Sequence, residues 1–438
     1  MFSINTVTVV GANGTMGCNV AAIFASFGAA KVYMISRDLE KSKKAIENAC
    51  KSVKADSIKA RLIPADYSQL EECIKESELI FESCAEDWDI KTEIHTKIAE
   101  VLMKYEKKIV CTGTSGLSVT KLAELYGAEY KKFVFGIHFF NPPYSMTLCE
   151  LVPTVYSDKK TREELQEYLQ KKLKRVVVLV KDKPAFLANR VGFQFINKAM
   201  KMAEQYKYSG GIDYIDAIIG PFTGRAMAPL VTANFVGLDV HKAIVDNLYE
   251  NTEDYAHDDF VLPEFCYQLI QKGALGRKSG EGLYKVLVND NGSKTHQVYD
   301  IEHGRYRDVI KYTFPFVDVM LAYMKIGNYK AAFQELYQNR SSEAEICCRF
   351  LIDYVVYSMT VSNEVAYSVH AADDAMTTGF NWCPPLAIIE LFGGKDEFLN
   401  LCKLYLNEEQ IQNMRIEQII EKYENTKCDY RKYLRAKR

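Results

Sequence analysis

Val7-Thr8-Val9-Val10-Gly11-Ala12-Asn13-Gly14-Thr15-Met16-Gly17 is the stretch on which the fold turns. Its first four residues are β-branched and show no alternation of wet and dry positions. That suits a central parallel strand covered on both faces. Past the glycines, Val20, Ile23, Phe24 and Phe27 recur at helical spacing until Gly28, and Lys31-Val32-Tyr33-Met34-Ile35 reads as a second strand. Strand, glycine turn, helix and strand in that order open a doubly wound α/β domain.

The turn has a specific physical use. Glycines let the N–H groups of a helix N-terminus approach a phosphate with no side chain in the way. Gly11, Asn13, Gly14, Thr15, Met16 and Gly17 are therefore expected to cradle the pyrophosphate of a dinucleotide. Their Gly-x-x-Gly-x-x-Gly spacing is one residue longer than the commonest form. At the end of the second strand, where NAD enzymes usually carry an acid, the chain has Ser36-Arg37. A hydroxyl and a guanidinium suit a ribose 2′-phosphate, so the expected cofactor is NAD(P), with NADP(H) favoured. Asp38 folding back onto the ribose would reverse that preference.

Bulk properties exclude several classes. At 438 residues, two or three domains are expected. A net charge of −2 gives no whole-chain pull toward nucleic acid or a membrane surface. No apolar run approaches the ~18–20 residues of a membrane span, and Met1-Phe2-Ser3-Ile4-Asn5 leads straight into a strand without a leader-like stretch, so a cytoplasmic protein is expected. The 12 cysteines form no Cys-x-x-Cys motif and no cluster with ligand spacing; reduced thiols are expected, and no metal site.

Further strands are expected at 79–81, 108–111, 133–135 and 176–180, with the domain closing near Lys183-Pro184. Polar groups gather where these strands end: Glu86 and Lys91, Thr114-Ser115-Gly116, His138-Phe139-Phe140-Asn141-Pro142, and Glu150 in the run 148–152. Ligands of such sheets bind outside the carboxyl ends of the strands. A turn at Asn141-Pro142-Pro143 would bring Glu150 back to the imidazole of His138.

In identity and order, Gly-Thr-Met-Gly (14–17), Glu86 with Lys91, Thr-Ser-x-Leu (114–117), His-Phe-Phe-Asn-Pro (138–142), Glu150, Pro-Ala-Phe-Leu-Ala-Asn-Arg (184–190) and the Gly276-to-Tyr284 segment resemble the 3-hydroxyacyl-CoA dehydrogenases. The resemblance runs from about residue 5 to 285 and implies hydride transfer between NAD(P) and C3 of a 3-hydroxyacyl thioester at a cleft between the two domains. It implies that His138 is the general base and acid, that Glu150 orients it and stabilises imidazolium, and that Ser115 and Asn189 hydrogen-bond the substrate's C3 oxygen or carbonyl. Asn141 would line the nicotinamide; Glu86 and Lys91 would contact the cofactor's ribose and nicotinamide side. Read alone, Ser115 is equally a helix N-cap. The sequence departs from the family at Gly113 and Gly116, where Asn and Ser are usual. It departs again in the short segment 39–64, which leaves the coenzyme A handle open, and in the missing acid after the second strand.

The texture turns helical after Pro184. Phe193, Ile196, Ala199, Met200 and Ala203 form an apolar stripe, residues 286–303 read as a polar linker, and Ile352 through Gly393 parallels Phe195 through Leu238. The expected division is 1–183 (Rossmann-like), 184–300 (helical) and 301–438 (a degenerate second helical repeat without an Asn189-Arg190 equivalent). Single-repeat members of the family bury this helical face in a homodimer. The expectation here is a monomer that mimics one, with a homodimer as the alternative, acting on an acyl-CoA-type small molecule. Two rival functions remain: a dehydrogenase of another 3-hydroxy acid or carrier thioester, and a non-catalytic dinucleotide-binding relative.

Overall fold

In the computed structural model, which describes residues 3–105, 107–289 and 291–436, the chain divides into two compact units: 1–186 with 365–367, and 187–364 with 368–438.

The first unit is built on eight strands: β1 (Thr6–Val10), β2 (Lys31–Ser36), β3 (Leu62–Asp66), β4 (Leu79–Glu82), β5 (Ile109–Thr112), β6 (Val134–Phe139), β7 (Leu148–Pro153) and β8 (Val176–Leu179). They lie in the order β3-β2-β1-β4-β5-β6-β7-β8. The first six are parallel; β7 runs antiparallel to β6, and β8 is parallel to β7. Strand order reverses beside β1, which pairs with β2 on one side and β4 on the other, so a crevice opens at its carboxyl end.

The helices are α1 (Thr15–Ser26), α2 (Leu39–Val53), α3 (Leu70–Glu76), α4 (Trp88–Leu102), α5 (Val119–Ala123) and α6 (Lys159–Glu167). Val7 and Val9 pack with α1 and α2 residues, including Val20, Phe24 and Ala49; Val10, Ile80 and Val110 pack with α3 and α4 residues, including Ile74, Ile94 and Ile98. Both faces of the sheet are dry. That is the physical origin of the strand's unbroken apolar run, at ~1.5–3 kcal/mol for each large apolar side chain buried. Thr8, the one polar residue of the run apart from its first, satisfies its buried hydroxyl on Ser77 at 2.8 Å.

The second unit holds α7 (Ala188–Gln205), α8 (Ile212–Ile218), α9 (Pro229–Val236), α10 (Leu238–Asn251), α11 (Glu264–Gln271), α12 (Pro315–Lys325), α13 (Tyr329–Gln338), α14 (Ser342–Val365), α15 (Ala371–Ala375), α16 (Pro385–Leu391), α17 (Lys395–Tyr405), α18 (Glu408–Asn413) and α19 (Ile416–Ile420). The repeat is visible element by element: α7-α8-α9-α10 is matched by α14-α15-α16-α17. Asp216, in the last turn of α8, accepts the N–H groups of Leu230 and Val231 at 2.8 and 3.1 Å, and Asp373 of α15 accepts that of Leu386 at 2.9 Å. Each caps a following helix that begins with proline, and burial pushes both carboxyls up to about 7.

The copies meet around Phe195, whose ring contacts Phe350, Tyr354 and Trp382 at 5.5, 5.7 and 5.3 Å. The buried Arg225 guanidinium lies 3.9 Å from the Phe195 centroid and 4.7 Å from that of Trp382; burial pushes it down to about 10. At Gly192 a Cβ would come within 2.3 Å of the Phe380 ring, so helix and ring approach closely only because the residue is glycine. The expected boundary at 300/301 falls inside this one unit.

The linker expected at 286–303 is not a linker. β9 (Tyr284–Val288), β10 (Lys294–Asp300) and β11 (Arg305–Asp308) form an antiparallel meander. The Asn and Gly that suggested a linker belong to the β9–β10 turn: Asn289 N–H donates to the Ser293 carbonyl at 2.9 Å, and Gly292 takes φ +77°.

Candidate active site

The glycine turn forces the backbone close to its neighbours. Gly11 has φ +84°, and a Cβ there would lie 2.5 Å from the Ser83 carbonyl oxygen; at Gly17 it would lie 2.3 Å from the Gly11 carbonyl oxygen. Gly14 is the N-cap of α1 and no side chain caps the helix, so its first N–H groups have no partner within it. Donor groups without partners, in a turn that excludes side chains, fit the pyrophosphate of a dinucleotide.

A cleft of about 540 Å³ opens beside this turn, lined by Gly11, Asn13, Gly14, Ser36, Arg37 and Tyr67 and by the Ile90, Ile94, Lys97 face of α4. Arg37 is exposed and donates no hydrogen bond to any described residue. Ser36 is different from expectation. Its buried hydroxyl is spent on the Asp38 carbonyl at 2.8 Å and on Ser42 at 2.6 Å, leaving it no free donor for a phosphate. Asp38 is also committed: its carboxylate caps α2 by accepting the Lys41 N–H at 2.8 Å, which holds its pKa below the usual range.

His138 and Glu150 face each other directly in the β6–β7 register. Imidazole Nδ1 and carboxylate Oε2 are 2.7 Å apart, with the histidine 5% exposed and the glutamate fully buried. The rings of Phe140 and Phe186 pack on the imidazole at 4.5 and 5.6 Å. With Nδ1–H donating to the carboxylate, Nε2 carries the free lone pair, the arrangement a general base needs. Asn141 follows on the turn and accepts from the Asn19 amide of α1 at 3.3 Å, tying the histidine strand to the glycine-turn helix.

Glu86 does not stand free at the cleft. Its Oε1 accepts from the Thr114 hydroxyl at 2.5 Å and from the N–H groups of Ser115 and Gly116 at 2.8 and 3.1 Å. The Ser115 hydroxyl itself makes no hydrogen bond with a described residue. Ser115 is not a helix cap: Ser118 caps α5, with Asp182 accepting the N–H groups of Val119 and Thr120. Lys91, expected at the cofactor, is 1% exposed and donates to both oxygens of Glu82, at 2.9 and 3.0 Å. Glu82 and its partner His95 were missed in the sequence. The available signals were an acid closing the apolar strand Leu79-Ile80-Phe81, and a lysine and histidine four residues apart on α4. Asn189 lies in the first turn of α7 in the other unit, buried, its amide unbonded to any described residue.

A family model described as 3-hydroxyacyl-CoA dehydrogenase, NAD binding domain, matches residues 6–183, and one for the C-terminal domain matches 186–286. A probable 3-hydroxyacyl-CoA dehydrogenase of Deinococcus radiodurans is 31% identical over 300 residues, covering 66% of this chain and 84% of that protein. Another, from Bacillus subtilis, is 27% identical over 395 residues, covering 84% of this chain and 48% of that protein. The chain thus spans about half the length of the Bacillus relative. The crystal structure of 3-hydroxybutyryl-CoA dehydrogenase from Escherichia coli has a similar fold across 98% of both chains, with a TM-score of 0.66 and 20% identity.

Replacing Gly17 by Val pushes a side chain into the Gly11 carbonyl and opens the turn. NADH and NADPH binding, followed by nucleotide fluorescence, should each weaken by at least ~10-fold while circular dichroism keeps its native shape; the close helix–strand approach is what the turn supplies. Undiminished binding would show that the turn is not the dinucleotide cradle.

Proposed function

The chain belongs to the 3-hydroxyacyl-CoA dehydrogenase family, and on that premise we propose that it is an oxidoreductase acting between NAD(P) and C3 of a 3-hydroxyacyl (3-oxoacyl) thioester. The observation that carries this reading is the buried His138–Glu150 pair at 2.7 Å with Nε2 left as the reactive nitrogen.

A bound nicotinamide dinucleotide supplies the two-electron redox partner. The N–H groups of Asn13, Thr15, Met16 and Gly17 would hold its pyrophosphate, those of Gly11, Ala12 and Gly14 being already bonded to the Ile35 and Gly11 carbonyls; Asn141 would line its nicotinamide end, and Glu86, with 42% of its side chain exposed, is the member of the Glu86–Lys91 pair that can meet it. His138 takes the C3 hydroxyl proton on Nε2 in the oxidative direction and returns it in reduction. Glu150 stabilises the imidazolium that forms between the two events; in a dry site this bond is stronger than it would be in water. The Ser115 hydroxyl and the Asn189 amide, neither committed elsewhere among the described residues, hydrogen-bond the C3 oxygen and the thioester carbonyl.

NADP(H) is the favoured cofactor, with reduction of the 3-oxoacyl thioester as the favoured direction. Arg37 alone carries that preference, since Ser36 is internally bonded and the nearest acid, Asp38, has one oxygen on the Lys41 N–H and the other on the Lys41 ammonium. The segment between β2 and β3 favours a second reading of the carrier: α2 leads through one short turn at 56–61 directly into β3, so a pantetheine or protein-borne thioester competes with coenzyme A. Among the described residues no helix is long and apolar enough to cross a membrane.

His138→Ala should lower turnover of acetoacetyl-CoA, and of the corresponding pantetheine thioester, by ~10²–10⁴-fold while dinucleotide affinity is kept; turnover near wild type would remove His138 from the base position. Arg37→Ala should weaken NADPH by at least ~10-fold and leave NADH nearly unchanged, because only the 2′-phosphate needs the guanidinium. Equal losses for both would return the preference to NAD(H). The second helical repeat covers the face through which single-repeat relatives pair, so light scattering should give the mass of one chain at all concentrations; a stable dimer would count against an internal pseudo-dimer.

A further inference from the structure

A connected set of polar contacts runs from the end of β4 to the loop carrying Ser115. Glu82, the last residue of β4, is fully buried. Besides the two bonds from Lys91, it accepts from the Thr112 hydroxyl at 2.6 Å and from the Cys84 N–H at 2.6 Å. His95 Nε2 lies 3.3 Å from it, and His95 Nδ1 is 2.7 Å from the Tyr126 hydroxyl. The Lys91 ammonium also lies 3.6 Å from Glu86 Oε2, and the other Glu86 oxygen holds the 114–116 loop. Four separate pieces of backbone are joined: β4, α4, the end of β5 and the loop.

Burial by itself would raise the Glu82 pKa. The His95 bond, the Lys91 charge and the Thr112 bond outweigh it and keep the carboxyl well below its ordinary range, hence ionised. Bonded on both oxygens, Glu82 has no freedom to turn, and Lys91, bound to both, is a fixed positive pole for Glu86. Glu82 does not line the dinucleotide cleft. A buried ion pair often stabilises no better than an apolar pair of the same volume, so stability alone does not account for one here.

We propose that Glu82 is a positioning residue for the reaction put forward above: it fixes Lys91, Lys91 fixes Glu86, and Glu86 holds the 114–116 loop so that the Ser115 hydroxyl is presented to the C3 oxygen. In this arrangement the hydrogen bonds of Lys91 to described residues go to Glu82, and the ammonium also faces Glu86. The role given to Ser115 rests on the proposed reaction; the positioning of the loop does not.

The test uses the full chain with Glu82→Gln, Lys91→Met and the double variant. Glu82→Gln leaves the Lys91 charge buried without its counter-charge and should lower the thermal midpoint; the double variant removes both charges and should recover it. Turnover of a 3-oxoacyl thioester should fall by up to ~10²-fold in all three, the double variant included, because the link to Glu86 stays broken. NAD(P)H affinity should fall far less than turnover in each, since Glu86 is only one of the dinucleotide's proposed contacts. Hydrogen exchange at the Ser115 and Gly116 amides should accelerate in all three variants, a readout independent of any substrate. Turnover that recovers together with the midpoint in the double variant would reduce Glu82 to a structural role. An order-of-magnitude loss of dinucleotide affinity in Lys91→Met would return Lys91 to the cofactor. Native exchange at both amides would break the link to the loop. If wild type reduces no 3-oxoacyl thioester, the proposed reaction fails, and the exchange rates still decide the positioning. If Glu82→Gln alone does not fold, the double variant against wild type carries the same comparison.

Discussion

One cross-strand register governs the first unit. His138 and Glu150 meet because β7 reverses direction after β6 and pairs with it so that the two residues are opposite. Side chains alternate faces along a strand, so a slip of one residue would send the carboxylate to the other side of the sheet. The turn between the strands is held from outside: the buried Arg175 donates to the Pro143 carbonyl at 2.5 Å and to the Leu173 carbonyl at 2.7 Å, and its guanidinium lies 5.2 Å from the Phe27 ring. Strand β8 then pairs with β7 and buries it, so neither member of the dyad is on a sheet edge. The reversed strands thus give an imidazole and a carboxylate a dry, fixed geometry that loops alone would hold less firmly.

The same rule explains what happens at the other strand ends. β2, β4, β5 and β6 finish near Ser36, Glu82, Thr112 and His138, all buried and polar. A buried polar group left unbonded costs ~1–3 kcal/mol, more when charged. Each of these therefore has its bond: Ser36 to Ser42, Glu82 to Lys91 and Thr112, His138 to Glu150. The consequence is selective. The Ser36 hydroxyl and the Lys91 ammonium are thereby engaged within the protein, while Arg37 and the Ser115 hydroxyl have no hydrogen bond to a described residue.

This division also marks what could be read in the sequence. The βαβ unit, the parallel strands and the His138–Glu150 juxtaposition were legible because they follow from local periodicity, a glycine turn and one hairpin-like return. The second helical copy was legible because its proline and aspartate positions repeat. Glu82 was not: it reads as the last residue of an apolar strand, and its partners lie 9, 13 and 30 residues away on other elements. Ser36 looked free because its partner Ser42 is brought back by the first turn of α2. Residues 286–303 looked like a linker because polar strands on a partly exposed sheet carry little apolar alternation, and a turn with Asn and Gly resembles loop composition when the flanking strands are not weighed with it.

The second repeat does more than cover an apolar face. Arg190, one residue past Asn189, is fully buried; its Nη2 pairs with Asp254 at 2.5 Å and with Glu364 at 2.7 Å, and its Nε donates to the Tyr357 hydroxyl at 3.2 Å. Burial works against this charge, and Tyr357, Glu364 and Asp254 together outweigh it and raise the guanidinium above its ordinary value. Asp254 comes from the first copy, whereas Tyr357 and Glu364 are on α14 of the second. Removing one side of a buried ion pair typically costs ~3–5 kcal/mol because the remaining charge stays desolvated. The helix turn that carries Asn189 is therefore held by groups the first copy does not contain. One copy thus carries the Asn189-Arg190 pair, and the other supplies part of its electrostatic support through Tyr357 and Glu364.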